Sequence, residues 1–505
     1  MTPSGAPGRR SASRSAALAA MTLASAFPLW VGANASRLLG DDAFITLTYA
    51  RSLASGQGLT YDGNAVLGTT TPLLALVAAV VSRLLPSADL AGVAVWIGAA
   101  SWLATGWLVF LGRRPLRLEL WTATALGLMA LLGGWPQALG MEVHLFLMLL
   151  VAATVLAFAC RSVAAGLACG LLALTRGEGL LLVPILALGV WVAAREDALS
   201  SPDRRRSGLR SVALLALGCL TVIVPWSLYA VAAYGSPVPN TLAVKLAQTA
   251  SGLWQPFAAD LGSRWLPVWA SSWGPSSPAL ANLIWWLVGM GLAWSLVRDR
   301  TLLVLVAWSA AYVAAYAALG VPSYPWYGLP AFFVLQLIAA LGGARVRDLP
   351  PKRVRVPWLR NALAGLAVAF LLAGALVPRV DAVRTDRGDA RASSYLNLAS
   401  WLDANAAAAD SVAYIEIGYL GYFGSLRIVD LAGLVTPDVV PHVEQGDFAS
   451  GFFAHSPDWF VYLPDFDWAL EDILADPRFE TRYAEAVRLP GPNAADFTVY
   501  RRVEQ

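Results

Sequence analysis

The chain is short of charge. Only 14% of its residues are Asp, Glu, Lys or Arg and 57% are hydrophobic, whereas a soluble protein carries nearer a quarter charged residues. That deficit excludes an ordinary soluble domain and identifies a polytopic membrane protein. Cysteine is scarce as well. Cys160, Cys169 and Cys219 all lie in apolar runs, so they imply no disulfide framework and read as small core residues. The three histidines, His144, His442 and His455, lack metal-ligand spacing. No Ser/His/Asp arrangement is apparent and no phosphate-binding P-loop occurs, which argues against an ATP-driven mechanism. There is no clear internal repeat of the kind that marks paired broken helices in secondary transporters. The net charge of +3 averages two very different regions and says little by itself.

What is present is a series of apolar runs long enough to cross a bilayer, each needing roughly 20 residues. Basic groups cluster at Arg9-Arg10-Arg14, Arg113-Arg114-Arg117, Arg161, Arg195 with Arg204-Arg205-Arg206, Arg298-Arg300, and Arg345 through Arg360. The opposite loops hold Arg37, Arg51, Arg83, Arg176, Lys245 and Arg264. With the first group cytoplasmic, the charge asymmetry predicts about eleven spans. They fall near 16–38, 90–111, 119–135, 142–160, 162–175, 179–194, 210–233, 279–297, 301–320, 328–344 and 361–378. Thr71-Pro72 to Leu85 is apolar but only about 14 residues, short for a span. Counting it as a crossing would scramble every later loop, so it is expected to be interfacial or re-entrant on the outer face. Ala33-Asn34-Ala35 has the small residues of a cleavage site, but the preceding run is longer than a usual signal core, and an uncleaved first helix is expected.

After Pro378 the composition changes, and residues 379–505 contain many acids and no run long enough to span. Residues 1–378 therefore read as a membrane domain and 379–505 as a small α/β domain, placed outside by an odd number of spans. An amphipathic helix is predicted over Ser393–Asn405. Strands are predicted at Ser411–Glu416, Arg427–Leu431, Pro457–Leu463 and Asp496–Arg502. The basic stretch around Pro350-Pro351 reads as an orientation signal rather than a nucleic-acid site, so no nucleic-acid partner is expected; the bilayer itself is one.

Sorting charges by side isolates the chemistry. The outer face of the membrane part offers Asp41, Asp42, Asp62, Asp89, Glu142, Glu178 and Asp260 as acids and Arg51, Arg176 and Lys245 among its few bases. The Asp41-Asp42 pair, directly after the apolar run Ala16–Leu39, stands out because acids at a membrane edge are costly and tend to be functional. A carboxylate can take a proton from a hydroxyl nucleophile, and a cation can hold a phosphate leaving group. Plainer readings stand beside these. The aspartates could cap the next helix, and Glu142 could be a helix-start charge. Arg176 with Glu178 could be a self-neutralising turn, and Lys245 could snorkel to the interface. Tyr324, Trp326 and Tyr327 suit an aromatic belt, and Asp62 suits a turn.

Several stretches together resemble GT-C membrane glycosyltransferases, and more narrowly the arabinofuranosyltransferase-like and cell-envelope sugar transferases. They are Asp41-Asp42-Ala43-Phe44 through Arg51, Gly56-Gln57-Gly58-Leu59-Thr60-Tyr61, and Gly68-Thr69-Thr70-Thr71-Pro72-Leu73. Further on come Gly140-Met141-Glu142, Leu174-Thr175-Arg176-Gly177-Glu178-Gly179-Leu180, Pro239-Asn240-Thr241 with Ala243 and Lys245, Ile417 to Phe423 and Val429 to Leu434. Gly177 stands where the family has proline, and no Asn or Ser precedes Pro72.

The resemblance implies inverting transfer from a polyprenyl-phosphate sugar to an envelope glycan or glycolipid on the outer face of the cell membrane. It makes Asp41 or Asp42 the general base, and Lys245 with Arg176 the groups that neutralise the departing phosphate. Glu142 and Glu178 would orient the acceptor or tune the aspartate, with Arg51, Asn240, Tyr324, Trp326 and Tyr327 around it. Whether a divalent cation joins the acids stays open; with so few outer carboxylates, a metal-independent mechanism is the preferred expectation. Two other classes fit part of the pattern: a transporter or flippase of lipid-linked sugars, and a non-catalytic envelope-assembly subunit. Neither sugar nor acceptor can be read from the residues.

Overall fold

A computed structural model describes residues 7–198, 203–271, 273, 278–349, 356–386 and 388–503. The chain opens with α1 (Pro7–Asn34), α2 (Asp41–Ala54), α3 (Pro72–Leu84) and α4 (Leu90–Leu111). These lead into α5 (Leu120–Leu132), α6 (Val143–Phe158), α7 (Ser162–Thr175) and α8 (Leu182–Ala198). Then follow α9 (Asp203–Tyr234) and α10 (Asn240–Ala250). Four long helices complete the bundle, Pro278–Val297, Leu303–Leu319, Leu329–Arg345 and Pro357–Thr385.

Among the described residues, eight helices are long and apolar enough to cross a membrane. They coincide with eight of the predicted spans. The other three predicted spans are the shorter apolar helices α5, α6 and α7, of 13, 16 and 14 residues. The segment expected to lie at the interface is α3, 13 residues long, packed against α2 and α4. Apolar helices in lipid gain nothing by hiding from one another, so they associate where small residues let backbones approach. Helices Pro278–Val297 and Leu329–Arg345 show this: a Cβ on Gly342 would sit 1.9 Å from Leu287 O, and one on Gly291 would sit 2.0 Å from Ile338 O.

The last long helix runs through Pro378 to Thr385, past the composition change. Part of the basic stretch beyond Arg345, including Pro350-Pro351, lies outside the described residues. Arg345 itself is buried at the helix end, where Asp299 takes two hydrogen bonds from its guanidinium at 2.7 and 3.0 Å.

The C-terminal region begins with helix Ala392–Asn405, over the residues predicted. Its strands are β1 (Ser411–Tyr414), β2 (Arg427–Asp430), β3 (Trp459–Tyr462), β4 (Tyr483–Pro490) and β5 (Asp496–Arg502), in the order β2-β1-β3-β5-β4. β2, β1 and β3 are parallel, whereas β5 and β4 add antiparallel. β4 is the strand that the sequence did not predict: it is an edge, exposed along most of its length, and so lacks the apolar alternation that announces a strand.

This domain is fused to the first loop. A single buried core runs from Phe27 and Phe44 to Tyr414, Phe460 and Phe497. Phe44 packs its ring 4.8–5.0 Å from those of Tyr419, Tyr422 and Phe423. Hydrogen bonds bind the seam: Tyr61 Oη donates to Ile417 O, Tyr419 Oη to Leu39 O at 2.6 Å, and Arg51 to Gly421 O at 2.9 Å and to Tyr422 O. The seam leaves no room at Gly421, where a Cβ would meet Tyr61 Oη at 1.9 Å. Gly421→Ala is expected to destabilise the protein by about 1–3 kcal/mol and to speed limited proteolysis of the C-terminal domain. An unchanged melting temperature and cleavage rate would show that the seam is loose.

Candidate active site

α2 starts without a side-chain cap, and its first turn carries both aspartates, where the helix dipole favours carboxylates. Consecutive residues on a helix point about 100° apart, and the two side chains accordingly do different things. Asp41 does not cap its own helix. Its carboxylate accepts the backbone N–H of Gly418 at 2.9 Å and of Tyr419 at 2.8 Å, at the start of the short helix Gly418–Phe423. Burial, and next the charge of Glu416, push this carboxyl up to about 8, against the two amides, which lower it.

Asp42 is exposed to solvent, yet enough protein surrounds it that desolvation is the main cause raising its carboxyl above the ordinary range. It therefore opens into a crevice rather than onto a free surface. Lys245 is the strongest opposing influence, lowering the Asp42 carboxyl, while Glu416 and Glu142 raise it. The Lys245 ammonium stands 3.9 Å from the centre of the Tyr324 ring, a cation–π geometry. It makes no ion pair among the described residues.

Behind this pair lies a buried polar cluster. The Arg176 guanidinium bridges Glu142 Oε1 at 2.9 Å and Glu178 Oε1 at 2.6 Å, and also donates to Tyr316 Oη at 2.8 Å. Tyr316 Oη in turn donates to Glu178 at 2.7 Å, and Tyr312 Oη donates to Tyr327 O at 2.7 Å. Arg176 also faces the Tyr327 ring at 5.4 Å. Glu142, at the start of α6, and Arg176, at the end of α7, are brought together because both helix ends reach the same end of the bundle. Tyr324 stacks on Trp326 at 4.9 Å and donates to Gln248 Oε1 at 3.1 Å.

The structure thus gathers Asp42, Lys245, Glu142, Arg176, Glu178, Tyr324 and Tyr327 at one end of the bundle, with Trp326 behind Tyr324. Asn240 and Arg51 serve elsewhere. Asn240 Nδ2 donates to Gly433 O at 2.8 Å and Leu434 O at 2.9 Å, clasping the C-terminal domain to α10, and Arg51 holds the seam. Asp62 accepts the backbone N–H of Asn64, a turn contact.

Glu416 is a site residue that sequence reasoning passed over as a strand end. It pairs with Arg391 and accepts from Tyr395 Oη, and it acts electrostatically on both aspartates. The available signal was its place directly before Ile417-Gly418-Tyr419. Among the described residues no group of three or more His, Cys, Asp or Glu is arranged to hold a metal ion.

Residues 383–500 match a family model described only as a domain of unknown function, DUF8728. No curated protein sequence matches the chain. Among solved structures, ArnT from Cupriavidus metallidurans in the apo state is similar at 15% identity and a TM-score of 0.62, over 96% of this chain and 98% of that one. The same protein bound to undecaprenyl phosphate is similar at 14% identity and a TM-score of 0.57, over 98% of each chain. Arabinofuranosyltransferase AftD from Mycobacteria aligns at 14% identity and a TM-score of 0.47, over 95% of this chain and 41% of that one. At these identities the likeness to ArnT is one of fold: a helical membrane domain followed by a small α/β domain.

Proposed function

We propose that the chain transfers a sugar, with inversion, from a polyprenyl-phosphate donor to a cell-envelope glycan or glycolipid on the outer face of the membrane. The observation that carries this reading is Asp42 opening into a crevice with Lys245 as its main opposing charge, in a fold shared with a protein that binds undecaprenyl phosphate. The basic clusters and an odd number of spans support the outward placement.

Asp42 is the base. It takes the proton of an acceptor hydroxyl, and the oxygen attacks the anomeric carbon from the face opposite the lipid phosphate. The glycosidic bond to phosphate breaks, and the bond electrons leave with the phosphate. Lys245 neutralises the added charge from its position over Tyr324. The proton is then lost from Asp42 to the water of the crevice. The energy lies in the donor's own phosphate bond, so no nucleotide site is required. Asp41 is a poorer base because its carboxyl is held protonated near pH 7 and its oxygens face the backbone of the C-terminal domain. It acts as a positioning residue. Arg176 belongs with it, since Glu142 and Glu178 already take its charge; it holds those carboxylates where an acceptor can meet them.

Sugar transfer by the purified protein in lipid, offered a panel of radiolabelled polyprenyl-phosphate sugars and a crude envelope acceptor, tests the assignment. Asp42→Asn should lower the rate by about 10²-fold or more, whereas Asp41→Asn should retain the larger share. Wild-type rates from Asp42→Asn would remove the base.

The acid limb of the pH–rate profile checks the electrostatics. Asp42 must be ionised and its carboxyl is raised, so activity should fall with decreasing pH above the ordinary carboxylate range. Lys245→Met removes a charge that lowers this carboxyl and should move the limb to higher pH. Glu416→Gln removes one that raises it and should move the limb lower. Shifts of the same sign in both variants would contradict the arrangement.

Arg176→Met leaves two carboxylates without their cation and is expected to destabilise the fold by about 3–5 kcal/mol, read as a lower denaturation midpoint. An unchanged midpoint would mean that Arg176 does not serve the fold.

A further inference from the structure

α10 puts Lys245 and Gln248 on one face, three residues apart. Gln248 is only 3% exposed, and a buried amide is costly unless it is hydrogen-bonded. Among the described residues its side chain has one such partner, the Tyr324 hydroxyl, which donates to Oε1 at 3.1 Å. The same Tyr324 ring carries the Lys245 ammonium 3.9 Å from its centre. A single aromatic side chain thus joins the buried amide to the cation.

The backbone brings Tyr324 over α10. The chain leaving α10 pairs antiparallel with the segment before Tyr324: Phe257 N–H donates to Val321 O at 2.9 Å, and Ser323 N–H to Gln255 O at 2.8 Å. Trp326 stacks on the Tyr324 ring with 4.9 Å between centres, which leaves the other face to Lys245. Stacking resists tilting of a ring but not sliding in its own plane. The hydrogen bond from the rim of the ring to Gln248 supplies that second restraint. It also polarises the phenol: a hydroxyl that donates its proton leaves more electron density on the oxygen and the ring, and a richer ring holds a cation better. The lysine stem is long and flexible, so the ammonium keeps one position only where the ring fixes it.

We propose that Gln248 is a positioning residue for Lys245, acting through the Tyr324 hydroxyl, and that it thereby sharpens the choice of a phosphate over an uncharged head group at that ammonium. The inference rests on the proposed role of Lys245 toward the donor phosphate and adds to it the pair of side chains that holds the cation in place.

The test is binding of radiolabelled decaprenyl phosphate to the full-length protein in lipid nanodiscs, with decaprenol, its uncharged counterpart, measured by competition. Gln248→Met, close in size but without an acceptor, should weaken decaprenyl phosphate binding by about fivefold, the worth of one hydrogen bond, and leave decaprenol binding unchanged. Tyr324→Phe keeps the ring and should give a loss of the same size. The double variant should bind no more weakly than either single one, because both changes remove the same bond. Losses that add in the double variant, an unchanged phosphate affinity in Gln248→Met, or an equal loss of both ligands would overturn the proposal. A preference for the phosphate that survives in Lys245→Met would instead remove the reading on which the proposal rests, and the proposal with it.

Discussion

The two amide hydrogen bonds that Asp41 accepts from Gly418 and Tyr419 set the rest of the site. They join the first turn of α2 to the start of a helix nearly four hundred residues later, and they fix how α2 is rotated about its axis. The rotation decides where Asp42 points. Were α2 turned by one residue, the carboxylate now in the crevice would face the C-terminal domain. The contacts around this bond reinforce it: Phe44 sits among the aromatic rings of the same segment, and Tyr61 donates to Ile417 O. The C-terminal domain is thus a structural part of the site, contributing Glu416 to its electrostatics, and not an appendage to the membrane domain.

In a chain this poor in charge, each buried ion must find a partner, because the desolvation of an isolated one is prohibitive. The structure meets this with two clusters at opposite ends of the bundle. At one end Arg176 lies between Glu142 and Glu178; at the other Arg345 lies against Asp299. Both arginines have side chains nearly out of reach of water, at 5% and 3% exposure. Lys245 is held differently: an aromatic face stands where these two have carboxylates. A cation on a ring keeps more of its field for an incoming anion than one already neutralised by an acid, and the proposed division of Lys245 and Arg176 between phosphate binding and positioning rests on that difference.

Much of this was legible in the residues because membrane insertion writes plainly. Long apolar runs, and the alternation of basic clusters that pairs Arg113-Arg114-Arg117 with Arg298-Arg300, follow from the bilayer alone. The short segment at Pro72 forms a helix of 13 residues, the same length as α5, so length alone does not set it apart from the shorter predicted spans. The gathering of Asp42, Glu142, Arg176 and Lys245 followed from sorting charges by side. What sequence could not show was direction and partnership. Arg51, Asn240 and Arg176 carry chemistry in principle, yet carbonyls and carboxylates already occupy them. Their partners lie up to 371 positions away, beyond any local pattern. Glu416 was hidden for the same reason, and β4 because an exposed edge strand needs no apolar stripe.

The adjacency of the two aspartates has a physical logic of its own. A base working in a crevice needs a carboxyl whose proton affinity is raised, and burial beside other acids supplies that. Burial of a carboxylate pair is stable only if one member gives up its charge or finds donors. Asp41 does both: its carboxyl is pushed up to about 8 and two amides bind it. Its neutral form spares Asp42 a full negative neighbour one residue away, while Lys245 offsets the remaining desolvation. Asp42 stays accessible, with its carboxyl raised above the ordinary range, as the proposed base requires. In the proposed reaction one position alone could not both anchor the helix and accept a proton, and the pair would divide those demands between two side chains pointing about 100° apart.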